Sequence, residues 1–120
     1  MAPDPARADA WSGASSVVPR TVVSVISPTM TALSEVVASM GGSERPSQQF
    51  MATAVSDAMD AGEVLLIQAG TGTGKSVGYL VPAVLSVIGA GRRVVVSTAT
   101  LALQRQLLAR DLPAVIAGTW

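Results

Sequence analysis

Apolar residues recur along this chain with two different periods. Leu33, Val36, Val37 and Met40 stand at i, i+3, i+4 and i+7, the stripe of an α-helix. Gly41 and Gly42 follow and predict its C-cap. A turn around Pro46 leads to a second helical stripe, with Phe50, Ala54 and Ala58 beside Met51, Val55 and Met59, and Gly62 stops it. Residues 64–67 read VLLI, a continuous apolar run that predicts a parallel strand covered on both faces. A helix over about 75–88 comes next, with Pro82 removing one backbone donor and predicting a kink. Residues 94–96 predict a second buried strand. The following helix carries Leu101, Leu103, Leu107 and Leu108 and is expected to end at Pro113. This alternation predicts an α/β unit with parallel strands and flanking helices.

Residues 1–28 hold Ala, Pro, Asp, Ser and Gly without a sustained period and predict a disordered tail. Within it, 17–26 is apolar enough for a weak strand, with Pro19 against it. Composition narrows the class. The chain has 120 residues, 49% of them hydrophobic and 13% charged, which suits one small domain with a core. The formal net charge is zero, so no broad basic surface points to nucleic acid. With no cysteine and no histidine, disulfides, thiolate chemistry and ordinary zinc sites are excluded within these residues. Absence of cysteine fits a cytoplasmic protein. No run reaches the roughly 18 apolar residues of a membrane span, and no membrane partner is expected. Oligomeric state is not legible.

Seven arginines stand against a single lysine, and that lysine lies in the chain's most telling motif. Residues 69–76 read AGTGTGKS between the apolar run 64–67 and an apolar helix. This is G-x-x-x-x-G-K-[ST] with Ala69 in the first glycine position. Such a loop wraps backbone N–H groups around phosphate oxygens, which requires glycines because a Cβ would forbid the close approach. Ala69, Gly70, Thr71, Gly72, Thr73 and Gly74 would form the cradle. The helix start aims its N–H groups and dipole at the anion. Lys75 supplies a mobile charge for the β- and γ-phosphates and Ser76 a hydroxyl ligand for Mg²⁺. The motif implies binding of ATP with Mg²⁺ and makes Lys75 and Ser76 the candidate catalytic residues. Nucleotide kinases and AAA+ proteins share it.

Three blocks narrow the choice: RPSQQFM at 45–51, QAGTGTGKSVGYLVPA at 68–83, and VVVSTATLALQRQLLARDLP at 94–113. In this order and spacing, over roughly 70 residues, they resemble the DinG branch of the XPD-like superfamily 2 DNA helicases. The resemblance implies a partial RecA-like P-loop domain over 29–120. It also implies ATP hydrolysis coupled to movement on single-stranded or forked DNA, in the repair of unusual DNA structures. Gln48 would then read the adenine edge, since a carboxamide can pair with both N6 and N7, and Arg45 would help shape the nucleotide pocket. Thr98 and Thr100, at the carboxyl end of the second expected strand, and Gln104 beyond them would face DNA phosphates. Thr100 also fits the N-cap of the next helix.

Hydrolysis needs an acidic pair to hold Mg²⁺ and an arginine to stabilise transition-state charge. After Ser76 the one carboxylate side chain is Asp111, and it lies outside any such box. Many relatives carry a cysteine-held iron–sulfur cluster, for which these residues contain no ligand. The expectation is an N-terminal portion of a helicase. A different class of P-loop NTPase, or a non-enzymatic nucleotide-binding fragment, stays open at this point.

Overall fold

Proline sets the first turn of two helices. The computed structural model describes residues 27–70 and 74–119. In it α1 (Pro28–Ser39) and α2 (Pro46–Ala61) each begin at a proline, where the missing N–H costs nothing and φ is already helical. Both end on a left-handed glycine. Gly41 has φ 73° and Gly62 φ 67°. In each, the next amide reaches back to close the turn, Gly42 N to Val37 O at 3.1 Å and Glu63 N to Ala58 O at 2.9 Å. Then come α3 (Lys75–Ala90), α4 (Leu101–Gln106), a π-helical turn (Leu107–Asp111) and α5 (Leu112–Thr119).

α3 is the hub, packing against α1, α2 and α5. Leu33, Val36, Val81 and Val115 are fully buried where these helices meet. Burying such a side chain stabilises by about 1.5–3 kcal/mol. Pro82 is buried inside α3, which continues through it to Ala90.

Helices cross closely at Gly78 and Gly118. A Cβ on Gly78 would sit 3.0 Å from Met51 Sδ, where α3 crosses α2. One on Gly118 would sit 2.6 Å from Val36 Cγ2 and 3.1 Å from Val36 Cα, where α5 crosses α1. Gly118→Ala therefore forces two helices apart. Overpacking of this kind costs about 1–3 kcal/mol, more than the helix propensity alanine adds. A fall in unfolding free energy by urea titration checks it; a stabilised variant would show that α5 packs elsewhere.

The α/β expectation is overturned. Among the described residues there is no strand; the regular elements are all helical. A strand covered on both faces needs neighbours that complete its hydrogen-bond ladder and layers that cover it. No backbone hydrogen bond joins 64–67 to 94–96. Val64 and Val95 are each 92% exposed and Leu66 79%. The partial RecA-like fold with parallel strands is accordingly not the architecture observed.

Smaller expectations also shift. Phe50 is 71% exposed, and the buried face of α2 runs through Gln48, Met51, Ala52 and Ala58 instead. Pro113 does not end its helix. Leu112 N donates to Leu107 O across the π turn, which resets the ladder so that Pro113 becomes the second residue of α5, where a missing donor is tolerated. Arg92 donates from Nη1 to Met59 O at 3.0 Å and lies 3.4 Å from Asp60 Oδ1, tethering the end of α2. The tail over 1–28 and the weak strand over 17–26 lie outside the described residues, apart from Ser27 and Pro28.

Candidate functional site

The start of α3 and the first turn of α2 meet at one contact. Gly74 is the N-cap of α3 with φ 74°. Its carbonyl accepts from Gly78 N at 3.1 Å, the first bond of the helix. It also accepts from Gln48 Nε2 at 3.2 Å. A Cβ on Gly74 would overlap Gln48 Nε2, so positive φ and close approach both require glycine here. The glutamine of the first sequence block and the final glycine of the loop motif thus fix one another.

Gln48 is 6% exposed, and its Oε1 has no hydrogen-bond partner. A buried polar atom left unpaired costs about 1–3 kcal/mol, and each such atom calls for an explanation. Gln48 is among the residues lining a cavity of about 450 Å³, and an N–H donor reaching Oε1 would satisfy it.

Arg45, Gln48, Gly74, Lys75 and Ser76 all line that cavity, whereas Ala69 and Gly70 do not. Lys75 Nζ donates to Ala69 O at 3.1 Å. Ser76 is half-buried one residue into α3. Thr71, Gly72 and Thr73 lie outside the described residues. Gln106, Arg110 and Asp111 line the same cavity, which the sequence reading missed. The available signal was the five-residue spacing of Gln106 and Asp111, which matches a π turn rather than an α turn.

Three cationic side chains, Arg45, Lys75 and Arg110, face one carboxylate, Asp111, around this space. Such a balance favours a polyanion. Among the described residues no group of three or more His, Cys, Asp or Glu gathers. The Ser76 hydroxyl alone suits Mg²⁺, an ion that keeps waters and substrate phosphates as its other ligands. The chain contains no cysteine for an iron–sulfur cluster.

Thr98 and Gln104 line a different cavity, about 560 Å³, walled mainly by apolar side chains such as Leu80, Val84 and Ile116. Thr98 Oγ1 donates to Thr100 O at 3.0 Å, and Thr100 Oγ1 accepts from Leu103 N at 3.2 Å as the N-cap of α4. The three predicted DNA-facing residues are therefore neighbours but stand apart from the Lys75 cavity. Among the described residues, no helix is long and apolar enough to cross a membrane.

The DEAD/DEAH box helicase family matches residues 45–112. Over 94 residues the chain is 53% identical to the ATP-dependent helicase DinG of Mycobacterium tuberculosis (strain ATCC 25618 / H37Rv), covering 78% of this chain and 14% of that protein. It is 47% identical over 75 residues to the ATP-dependent DNA helicase YoaA of Escherichia coli (strain K12), covering 62% of this chain and 11% of the relative. It is 39% identical over 82 residues to the 3'-5' exonuclease DinG of Staphylococcus aureus (strain NCTC 8325 / PS 47), covering 68% and 9%. These matches bear out the DinG-type resemblance. The matched part is about a seventh of the mycobacterial relative's length. No solved structure matches the chain.

Proposed function

This chain belongs to the DEAD/DEAH box helicase family, and on that premise we propose that it is the ATP-binding N-terminal portion of a DinG-type ATP-dependent DNA helicase. The observation that carries this is the buried Gln48 amide, bonded to Gly74 of the AGTGTGKS loop with its Oε1 unpaired. One side chain thereby joins a base-reading position to a phosphate-binding loop.

In this reading Gln48 Oε1 accepts from the adenine N6 amino group. Nε2 keeps one hydrogen on Gly74 O and has a second for N7. Arg45 closes the pocket beside Gln48. The backbone of 69–74 and the start of α3 hold the phosphates, Lys75 neutralises them, and the Ser76 hydroxyl is a ligand for Mg²⁺. Bound ATP with Mg²⁺ supplies the phosphoanhydride whose cleavage drives the motor. The domain reading places 29–120 as the front of the ATP-binding domain and 1–28 as a tail before it. Single-stranded or forked DNA is the proposed partner, and the cytoplasm the proposed location. Thr98, Thr100 and Gln104 would meet DNA phosphates; the Thr100 hydroxyl caps α4 through its oxygen and retains its proton to donate.

Binding of ATP and GTP to the 120-residue chain tests the reading. Guanine presents O6 where adenine presents N6–H₂, so Gln48 Oε1 would face another acceptor. The expected preference for ATP is about tenfold or more, one good hydrogen bond's worth, and Gln48→Ala removes it. Equal affinity for the two nucleotides in the unaltered chain would count against adenine reading.

A further inference from the structure

The cavity beside Lys75 has a second wall that this reading leaves unused. Asp111 is the most buried charged residue there, its side chain 4% exposed. A carboxylate taken from water is costly unless paired. Both partners come from its own π turn and the residue preceding it. Gln106 Nε2 donates to Oδ2 at 3.1 Å, and Arg110 Nε lies 3.8 Å from Oδ1. The π turn makes this possible, because a five-residue step brings Gln106 and Asp111 to one face.

The arginine differs from its anchor. Its side chain is 71% exposed while lining the cavity. Packing does not require it. A guanidinium carries five N–H donors in a rigid fork. Asp111 lies nearest Nε, in ion-pair range at 3.8 Å without a hydrogen bond, and the two outer NH₂ groups are left for another acceptor. A buried carboxylate in ion-pair range of a cavity-lining arginine reduces the freedom the arginine must lose on meeting an anion. Lys75 and Ser76 line the same cavity.

We propose that Arg110 is a further phosphate-contacting residue of this nucleotide site, with Asp111 and Gln106 as its positioning residues. The inference rests on the reading of the cavity as an ATP site and deepens it. Arg110 would meet the phosphates in the cavity it shares with Lys75 and Ser76. A planar, always-charged donor suits phosphate oxygens at that place better than a second lysine.

The test is ATP titration of the full 120-residue chain and its variants by calorimetry, with helicity followed by circular dichroism. Arg110→Gln is expected to weaken ATP binding about tenfold, one charge-assisted contact, without loss of helicity, since the side chain is exposed. Arg110→Lys recovers part of the loss. Asp111→Asn weakens binding less, and combined with Arg110→Gln it adds nothing further. That non-additivity marks action through the arginine. Arg110→Gln binding ATP as tightly as the unaltered chain, while Lys75→Ala does not, would overturn this inference and leave the ATP site standing. An unaltered chain that binds no ATP, or Lys75→Ala without effect, would remove the ATP site and this inference together.

Discussion

Replacing Lys75 with alanine is expected to lower ATP affinity about a hundredfold, the equivalent of about 2.7 kcal/mol, while leaving the fold intact. The two halves of the expectation have separate causes. Lys75 is exposed and its Nζ donates to one neutral acceptor, Ala69 O, so the fold loses at most a weak surface hydrogen bond. A triphosphate presents several anionic oxygens to the same ammonium, and charge-assisted bonds are about twice as strong as neutral ones. Lys75 is the only lysine in the chain, and no second ammonium can substitute for it. Calorimetric titration of ATP reads the affinity, and circular dichroism reads the fold. Affinity unchanged within about threefold, under half the free energy of a tenfold change, would mean that the motif does not hold phosphate here.

Gly74→Ala should damage stability and binding together. At φ 74° an L-residue with a Cβ costs about 1–2 kcal/mol. The same Cβ overlaps Gln48 Nε2, so the amide must leave Gly74 O and forfeit a further 0.5–1.5 kcal/mol, roughly one hydrogen bond. The total expected loss in urea unfolding is about 1.5–3.5 kcal/mol, with ATP affinity falling because Gln48 is displaced. Gly62 supplies the control. It has φ 67° and nothing within 4 Å of an added Cβ, so Gly62→Ala should cost the backbone strain alone and spare nucleotide binding. Equal effects at the two glycines would deny Gln48 its place against the loop.

The helices were legible because their signals are local. Leu33, Val36 and Val37 mark α1 by spacing alone, and Gly41, Gly62 and Gly91 fall at left-handed caps. The fold class was misread for a physical reason. An apolar run such as 64–67 records what its side chains would favour burying, whereas a strand exists only when another backbone completes its ladder. Within these residues that pairing is absent, and Val64, Leu66 and Val95 stay exposed. Phe50 was misplaced because helical periodicity fixes a spacing and leaves the choice of face to packing; α2 turns Gln48 inward and Phe50 out.

The candidate site was half legible. AGTGTGKS names its candidate residues, Lys75 and Ser76, within the motif itself. Gln48 was reached through the resemblance of the 45–51 block, and its bond to Gly74 spans 26 residues, which no local pattern encodes. Asp111 looked out of context along the chain because its neighbours in the cavity come from α2 and α3.

The most direct test of the account is the side-chain amide of Gln48 itself, followed by nuclear magnetic resonance in a ¹⁵N-labelled chain and assigned by its disappearance in Gln48→Ala. Titration with ATP should move this resonance in step with binding, and GTP should leave it largely in place. An unmoved Gln48 amide while ATP binds would put the nucleotide somewhere else and contradict the account at its centre.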